Sequence, residues 1–354
     1  EISSLPYVEP ENGRDKIEEN SELILNKKRQ ILSSSEKSRC FDQPGILKTS
    51  GSISERLEDY IDDTYSILQE CFKKEQEIDN LVVESLDFNK EVSTKMQDTV
   101  GKNPLKYPDR DKAESPDTLN YEEIEKNAIK QSRSLESLKK EQLNHKSEIA
   151  EDETKKLLSY FIQVSLGRWD MDGVEPTDDG ILMVSTEVSS DSPSLMDKIR
   201  ECIAAEWGQE NVSDIESEIN NILYHGMEKW IKKYFFKNFH YKMYNNRPVV
   251  WEIKTPNDHF KAFIYYHELD EDTLPKLQVD YIEPLMTEYN NRKNLAKENG
   301  NTAEAEKLED KVEDLRKLKE QLDEVIEEGY SPDLDEGVKH NFKPVENMTS
   351  KEMK

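Results

Sequence analysis

Apolar residues recur mainly three and four positions apart along this chain, so the pattern predicts a mostly helical protein. Residues 14 to 32 hold one such run. Ser33-Ser34-Ser35, Pro44-Gly45 and Ser50-Gly51 then break the period, and residues 1–51 therefore read as a poorly ordered, loosely attached arm. The pattern sharpens at Ser52-Ile53-Ser54-Glu55, a capping box in which the Ser52 hydroxyl accepts from the amide three residues on and Glu55 reaches back. Ile53, Leu57, Tyr60, Ile61, Leu68, Phe72, Ile78 and Val82 then predict a helix over about 52 to 86, within a segment ending at 97. Gly101, Pro104, Pro108 and Pro116 lie among charges, which makes 98–119 a linker. A second long helix is expected from near Asn120 through Leu135, Leu138, Leu143 and Ile149 into residues 157 to 166, which are apolar on nearly every side and so expected to be buried.

Residues 120–270 read as a helical core. After Asp172-Gly173 come an apolar island from Ile181 to Val184 and three helices at about 194–207, 213–224 and 227–239. Their apolar positions are Leu195, Ile199 and Ile203, then Ile215, Ile219 and Leu223, then Trp230, Tyr234 and Phe235. The period changes to two only at Val249, Trp251 and Ile253, which alternate with Val250, Glu252 and Lys254. Thr255-Pro256-Asn257-Asp258 then turns the chain into the β-rich run Phe260 to Tyr266, a hairpin over about 248–266. Residues 271–330 read as an antiparallel helical pair broken at Asn299-Gly300-Asn301. Leu308, Val312, Leu315, Leu318, Leu322 and Val325 line its second member, and Pro284 kinks the first or restarts it. Residues 331–354 read as a polar tail. The expected class is mainly α, α+β at most, with elongated helical domains, long paired helices and one small β-hairpin.

Charge narrows the partners. The 354 residues carry 49 Lys+Arg against 76 Asp+Glu, a net charge of −27, with a mean hydropathy of −0.91. Any nucleic-acid contact then has to come from a local patch that overcomes long-range repulsion. The stretch from Leu157 to Gly167, which lacks charged residues, is far shorter than the ~20 residues a membrane span needs. Cys40, Cys71 and Cys202 form neither a disulfide framework nor a paired zinc motif, and a reducing cytoplasm is the expected location. Residue 1 is Glu, and the expectation is a trimmed sequence or the downstream part of a longer protein.

Motifs for small-molecule chemistry are sparse. The twelve glycines form no G-x-G and no phosphate-binding loop, so no cofactor-binding residue is assigned. Asn103-Pro104-Leu105-Lys106 lacks the second proline and the aromatic of an amino-methyltransferase loop. The six histidines lack metal-ligand spacing, and no catalytic or metal residue is assigned. Glu252-Ile253-Lys254 has the acid-x-lysine spacing of PD-(D/E)xK nucleases but no acidic partner strand, and otherwise reads as a solvent-facing pair on an amphipathic hairpin.

One segment departs from the acidic background. Between Met227 and His267 eight Lys/Arg face three acids, a net of +5, among twelve of the 29 aromatics. Cations interleaved with aromatics suit phosphate contact with base stacking, and Lys232, Lys233, Lys237, Lys242 and Arg247 are the candidate phosphate ligands, with Tyr244 the candidate stacking residue. A core flanked by snorkelling lysines fits the same composition. Exposure of the cations on one face would separate the two.

At these residues the chain resembles the large adenine-specific DNA methyltransferases of bacteriophage-exclusion (BREX) and related restriction-modification systems, in the region downstream of their catalytic domain. The resemblance rests on Leu157-Leu158-Ser159-Tyr160, Gly167-Arg168-Trp169-Asp170, Asp179-Gly180-Ile181-Leu182, Tyr241-Lys242-x-Tyr244 and Arg247-Pro248-Val249-Val250-Trp251. It continues through Phe263-Ile264-Tyr265-Tyr266-His267, Asp272-Thr273-Leu274-Pro275, Tyr281-Ile282 and Leu334-Asp335-Glu336-Gly337-Val338, so that it covers about 52 to 345. It implies a parent enzyme that methylates N6 of adenine in double-stranded DNA with S-adenosylmethionine. The partners implied are that DNA and other phage-exclusion proteins, with no membrane. The cofactor and Asn-Pro-Pro-aromatic motifs of that family are not in these residues, so this chain is expected to be a non-catalytic, DNA-contacting portion. A helical scaffold without enzymatic role is the alternative, and a PD-(D/E)xK-like nuclease a further one.

Overall fold

A computed structural model describes residues 13–85, 146–184, 194–245 and 247–349. The expected linker at 98–119 and the start of the second long helix near Asn120 lie outside the described residues. The chain divides into two compact units between Glu153 and Thr154.

In the first unit, α1 (Arg14–Leu32) packs antiparallel on α2 (Ile53–Ser85). Ile24 of α1 meets Ile67 and Cys71 of α2, and Lys28–Glu75 (2.7 Å) and Lys27–Glu70 (2.8 Å) flank the seam. Residues 13–51 thus differ locally from a loose arm. The Ser-rich and Pro-Gly breaks form a turn and a 3₁₀ segment, Gly45–Lys48, that buries Ile46 and Leu47, because α1 needs a connection short enough to fold back onto α2. The capping box forms as its spacing predicts: the Ser52 amide donates to Glu55 Oε2 (2.9 Å) and the Glu55 amide to Ser52 Oγ (3.3 Å).

The second unit is built on a three-stranded antiparallel sheet of β1 (Ile181–Met183), β2 (Val250–Lys254) and β3 (Lys261–Tyr265), in the order β1-β3-β2. The hairpin is therefore not alone. The apolar island at Ile181 pairs with β3, with Ile181 opposite Ile264 and Met183 opposite Ala262, because an isolated two-stranded ribbon is marginal and its apolar edge gains a partner. The same unit holds helices α4 (Leu195–Trp207) and α5 (Val212–Ile222) and, from Thr154 on, α3 (Lys146–Ser165), in which residues Leu157–Ser165 are buried throughout.

Helix α6 opens as α over Met227–Trp230, runs as π over Ile231–His240 and closes as α over Tyr241–Met243. After Met227 at its start, its buried positions are Trp230 and Ile231, Phe235 and Phe236, and His240, a repeat of five rather than 3.6. A helix hydrogen-bonded i→i+5 is the register that keeps such a stripe on one side. The spacing Trp230, Tyr234, Phe235 read from sequence is corrected accordingly, since Tyr234 is only half-buried.

Helix α7 (Thr273–Lys276 as α, Leu277–Ile282 as π, Glu283–Glu298 as α) and α8 (Thr302–Glu327) form the expected antiparallel pair, broken at Gly300 in the left-handed region. Pro284 sits where α-register resumes after the π stretch, since its missing N–H removes one bond to the preceding turn. The sheet face bearing Trp251, Ile253, Ala262 and Ile264 forms one core with this pair. The segment read as a polar tail joins the same core. Helix α9 (Val338–Phe342) and the following 3₁₀ turn bury Phe342, Val345 and Met348, and Asn341 Nδ2 donates to Tyr266 Oη (3.1 Å) and the Asp333 carbonyl (2.6 Å).

Candidate nucleic-acid interface

The sheet face opposite the α7–α8 pair carries Val250, Glu252, Phe263 and Lys261, and α6 covers it. Phe235 packs edge-on against Phe263 with centroids 5.2 Å apart, and His240 Nε2 accepts from the Val250 amide (3.1 Å), a donor that the edge strand would otherwise leave unpaired. The His240 imidazole is wholly buried, and burial, then the positive charge of Arg168, push its pKa down to about 3.

Because α6 lies on this face, Glu252 is not solvent-facing: it is 3% exposed, and Lys261 Nζ stands 2.9 Å from its Oε2 while also donating to the Lys232 carbonyl (2.8 Å). The alternation that set Glu252 away from the main core is correct, but a helix occupies the space beyond. A lysine, not a second carboxylate, meets Glu252, so the arrangement does not supply the acidic partner of a PD-(D/E)xK site. Among the described residues no three His, Cys, Asp or Glu side chains converge as a metal site.

Where α6 passes over the ends of β2 and β3 a groove of about 800 Å³ opens, lined by Lys232, Lys233, Lys237, Lys254 and Lys261 against Glu252, Asp258 and Glu346. The π-register helps to build it. In an α-helix Lys232 and Lys237 would point roughly 140° apart, whereas i→i+5 bonding stacks residues five apart. Lys232 is half-buried and bonded to Glu228 (2.6 Å), Lys254 to Asp258 (2.8 Å), and Lys233 and Lys237 are exposed.

Of the six candidates, Lys232, Lys233 and Lys237 line the groove. Lys242 and Arg247 are exposed but do not line it, and Tyr244 is half-buried with Arg168 above its ring (5.2 Å), the His240 ring 4.7 Å away and its hydroxyl bonded to Arg168. Lys254 and Lys261 join the groove although sequence reasoning counted them only toward the local charge. The register of the hairpin, which sets Lys254 opposite Lys261, was the available signal. Most of the island's aromatics, including Trp230, Phe235, Phe236, Trp251, Phe260 and Phe263, are core.

The three strands among the described residues are antiparallel, so no crevice forms there at the ends of parallel strands, and no glycine pair in the sequence has the spacing of a cofactor turn. No described helix is long and apolar enough to cross a membrane.

No family model matches the chain. It is similar to the adenine-specific methyltransferase PglX of Lacticaseibacillus casei (strain Zhang), 25% identical over 221 residues that cover 52% of this chain and 18% of that protein. It is also similar to the adenine-specific methyltransferase BrxX of Escherichia coli O9:H4 (strain HS), 21% identical over 352 residues that cover 85% of this chain and 27% of that protein. The chain thus spans about a fifth to a quarter of the length of these curated relatives. Together with the motif series from Leu157 to Val338, these matches show a similarity of the chain to adenine-specific methyltransferases of the bacteriophage-exclusion type.

Proposed function

We propose that the chain is the non-catalytic C-terminal portion of an S-adenosylmethionine-dependent N6-adenine DNA methyltransferase of a phage-defence system, contributing double-stranded DNA contact and scaffolding. The observation that carries this reading is the groove with five lysines against three carboxylates in a chain of net charge −27. Lysine ammonium groups on a groove floor are point charges for phosphodiester oxygens, and the antiparallel sheet and paired helices hold them in place. Lys242 and Arg247 are further exposed cations outside the groove. Cofactor binding and methyl transfer belong, in this reading, to the rest of the parent enzyme.

The test is duplex-DNA binding by the 354-residue chain across a salt series. Each phosphate held contributes about −0.9 to the slope of log K against log salt, so Lys232, Lys233 and Lys237 changed together to Ala should flatten the slope by up to about three units. Unchanged affinity and slope in that variant would remove the groove from DNA contact.

A further inference from the structure

The turn before α6 carries aromatic rings that the core does not use. Tyr224 is 88% exposed, its ring meets His225 edge to face (4.8 Å, 76°), and His225 stacks parallel on Tyr234 of α6 (4.3 Å, 8°). A single exposed tyrosine is ordinary. Three rings held in series are different, and the backbone fixes them: Gly226 takes φ 73°, and Asn220 Oδ1 accepts from the Met227 amide (2.8 Å). A Cβ at Gly226 would come 3.1 Å from that same Asn220 oxygen. Tyr234 also lies in the π stretch directly after Lys233 and three residues before Lys237, both groove lysines.

We infer that Tyr224, with His225 and Tyr234 behind it, is a stacking platform for an unpaired nucleobase, braced on the helix that supplies three of the groove lysines. A flat ring open to solvent, backed by two more rings of which the last stands on the helix that carries Lys233 and Lys237, offers what a base and its phosphate need, and every base has a π-face to place on it. An apolar protein partner would favour the rings but not the neighbouring lysines. Tyr244, by contrast, has Arg168 and His240 against its ring. The inference rests on the proposed DNA contact and adds to it a specific ligand, a base outside the duplex stack.

The experiment titrates the 354-residue chain into a short duplex bearing 2-aminopurine as a single-base bulge, and into the same duplex fully paired. Expected are quenching of the bulged probe and tighter binding of it, with the preference lost in Tyr224→Ala and kept in Tyr224→Phe. One base stack corresponds to about 5- to 150-fold in affinity. The salt slope should stay that of the parent chain, because stacking releases no counterions. Tyr224→Ala is tolerated by the fold, since its ring is exposed. Equal binding of the bulged probe by Tyr224→Ala, or an equal loss on both probes, overturns the platform while lysine-dependent binding leaves the DNA-contact reading standing. No salt-dependent binding of either probe by the parent chain overturns both.

Discussion

Two ion pairs on one hairpin show how solvation sets the value of a contact. Lys261–Glu252 (2.9 Å) and Lys254–Asp258 (2.8 Å) have almost the same length, yet the first pair's side chains are 13% and 4% exposed and the second's 23% and 60%. Removing Glu252 would strand the Lys261 ammonium under α6, which costs about 3–5 kcal/mol. Removing the Lys254 charge should cost about 0–1 kcal/mol, since water screens its partner. Urea unfolding of Glu252→Ala and Lys254→Ala, compared at constant m-value, checks this. Similar losses in the two variants would show that Lys261 reaches solvent when its partner is gone. The alternation of Trp251, Glu252 and Ile253 was legible in the sequence. The cover over its polar face was not, because packing between separate segments, rather than any local pattern, decides that α6 lies there.

Among the elements, α6 couples a sequence period to a proton. The five-residue stripe ends at His240, whose ring bridges to Val250 at the edge of the sheet. Its folded pKa, about 3, lies below the ordinary histidine value near 6.5, so the folded state binds fewer protons than the unfolded one. The stabilisation is therefore full above about pH 6.5 and is lost progressively as pH falls toward 3. Between pH 7 and pH 5 this amounts to about 2 kcal/mol. Thermal melts at the two pH values should show a lowered midpoint at pH 5 that shrinks in His240→Gln. An equal acid shift in that variant would assign the sensitivity to other groups.

Across the chain the excess of 76 acids over 49 bases leaves 27 negative charges even if every base is paired. That excess repels itself within each compact unit, and salt screens it over a Debye length of about 10 Å at 0.1 M. Raising salt should therefore raise the thermal midpoint while it weakens the DNA binding proposed for the groove, two trends of opposite sign from the same ions. Scanning calorimetry in a sodium chloride series tests the first trend. A midpoint that falls with salt would mean that the surface ion pairs outweigh the net repulsion.

Local pattern alone was sufficient for most helices, the capping box at Ser52, the break at Gly300 and the strand pair β2–β3, because each depends on spacing and turn chemistry within a few residues. The long-range outcomes needed the folded chain. The third strand at Ile181, the burial of Glu252, the packing of Phe342, Val345 and Met348, and the sorting of Lys232, Lys233 and Lys237 from Lys242 and Arg247 all depend on which surfaces meet. The composition of the basic aromatic island was equally consistent with a core and with a binding surface. It is divided between the core and an open groove because the five-residue stripe of α6 turns its rings toward the sheet and its lysines toward the groove.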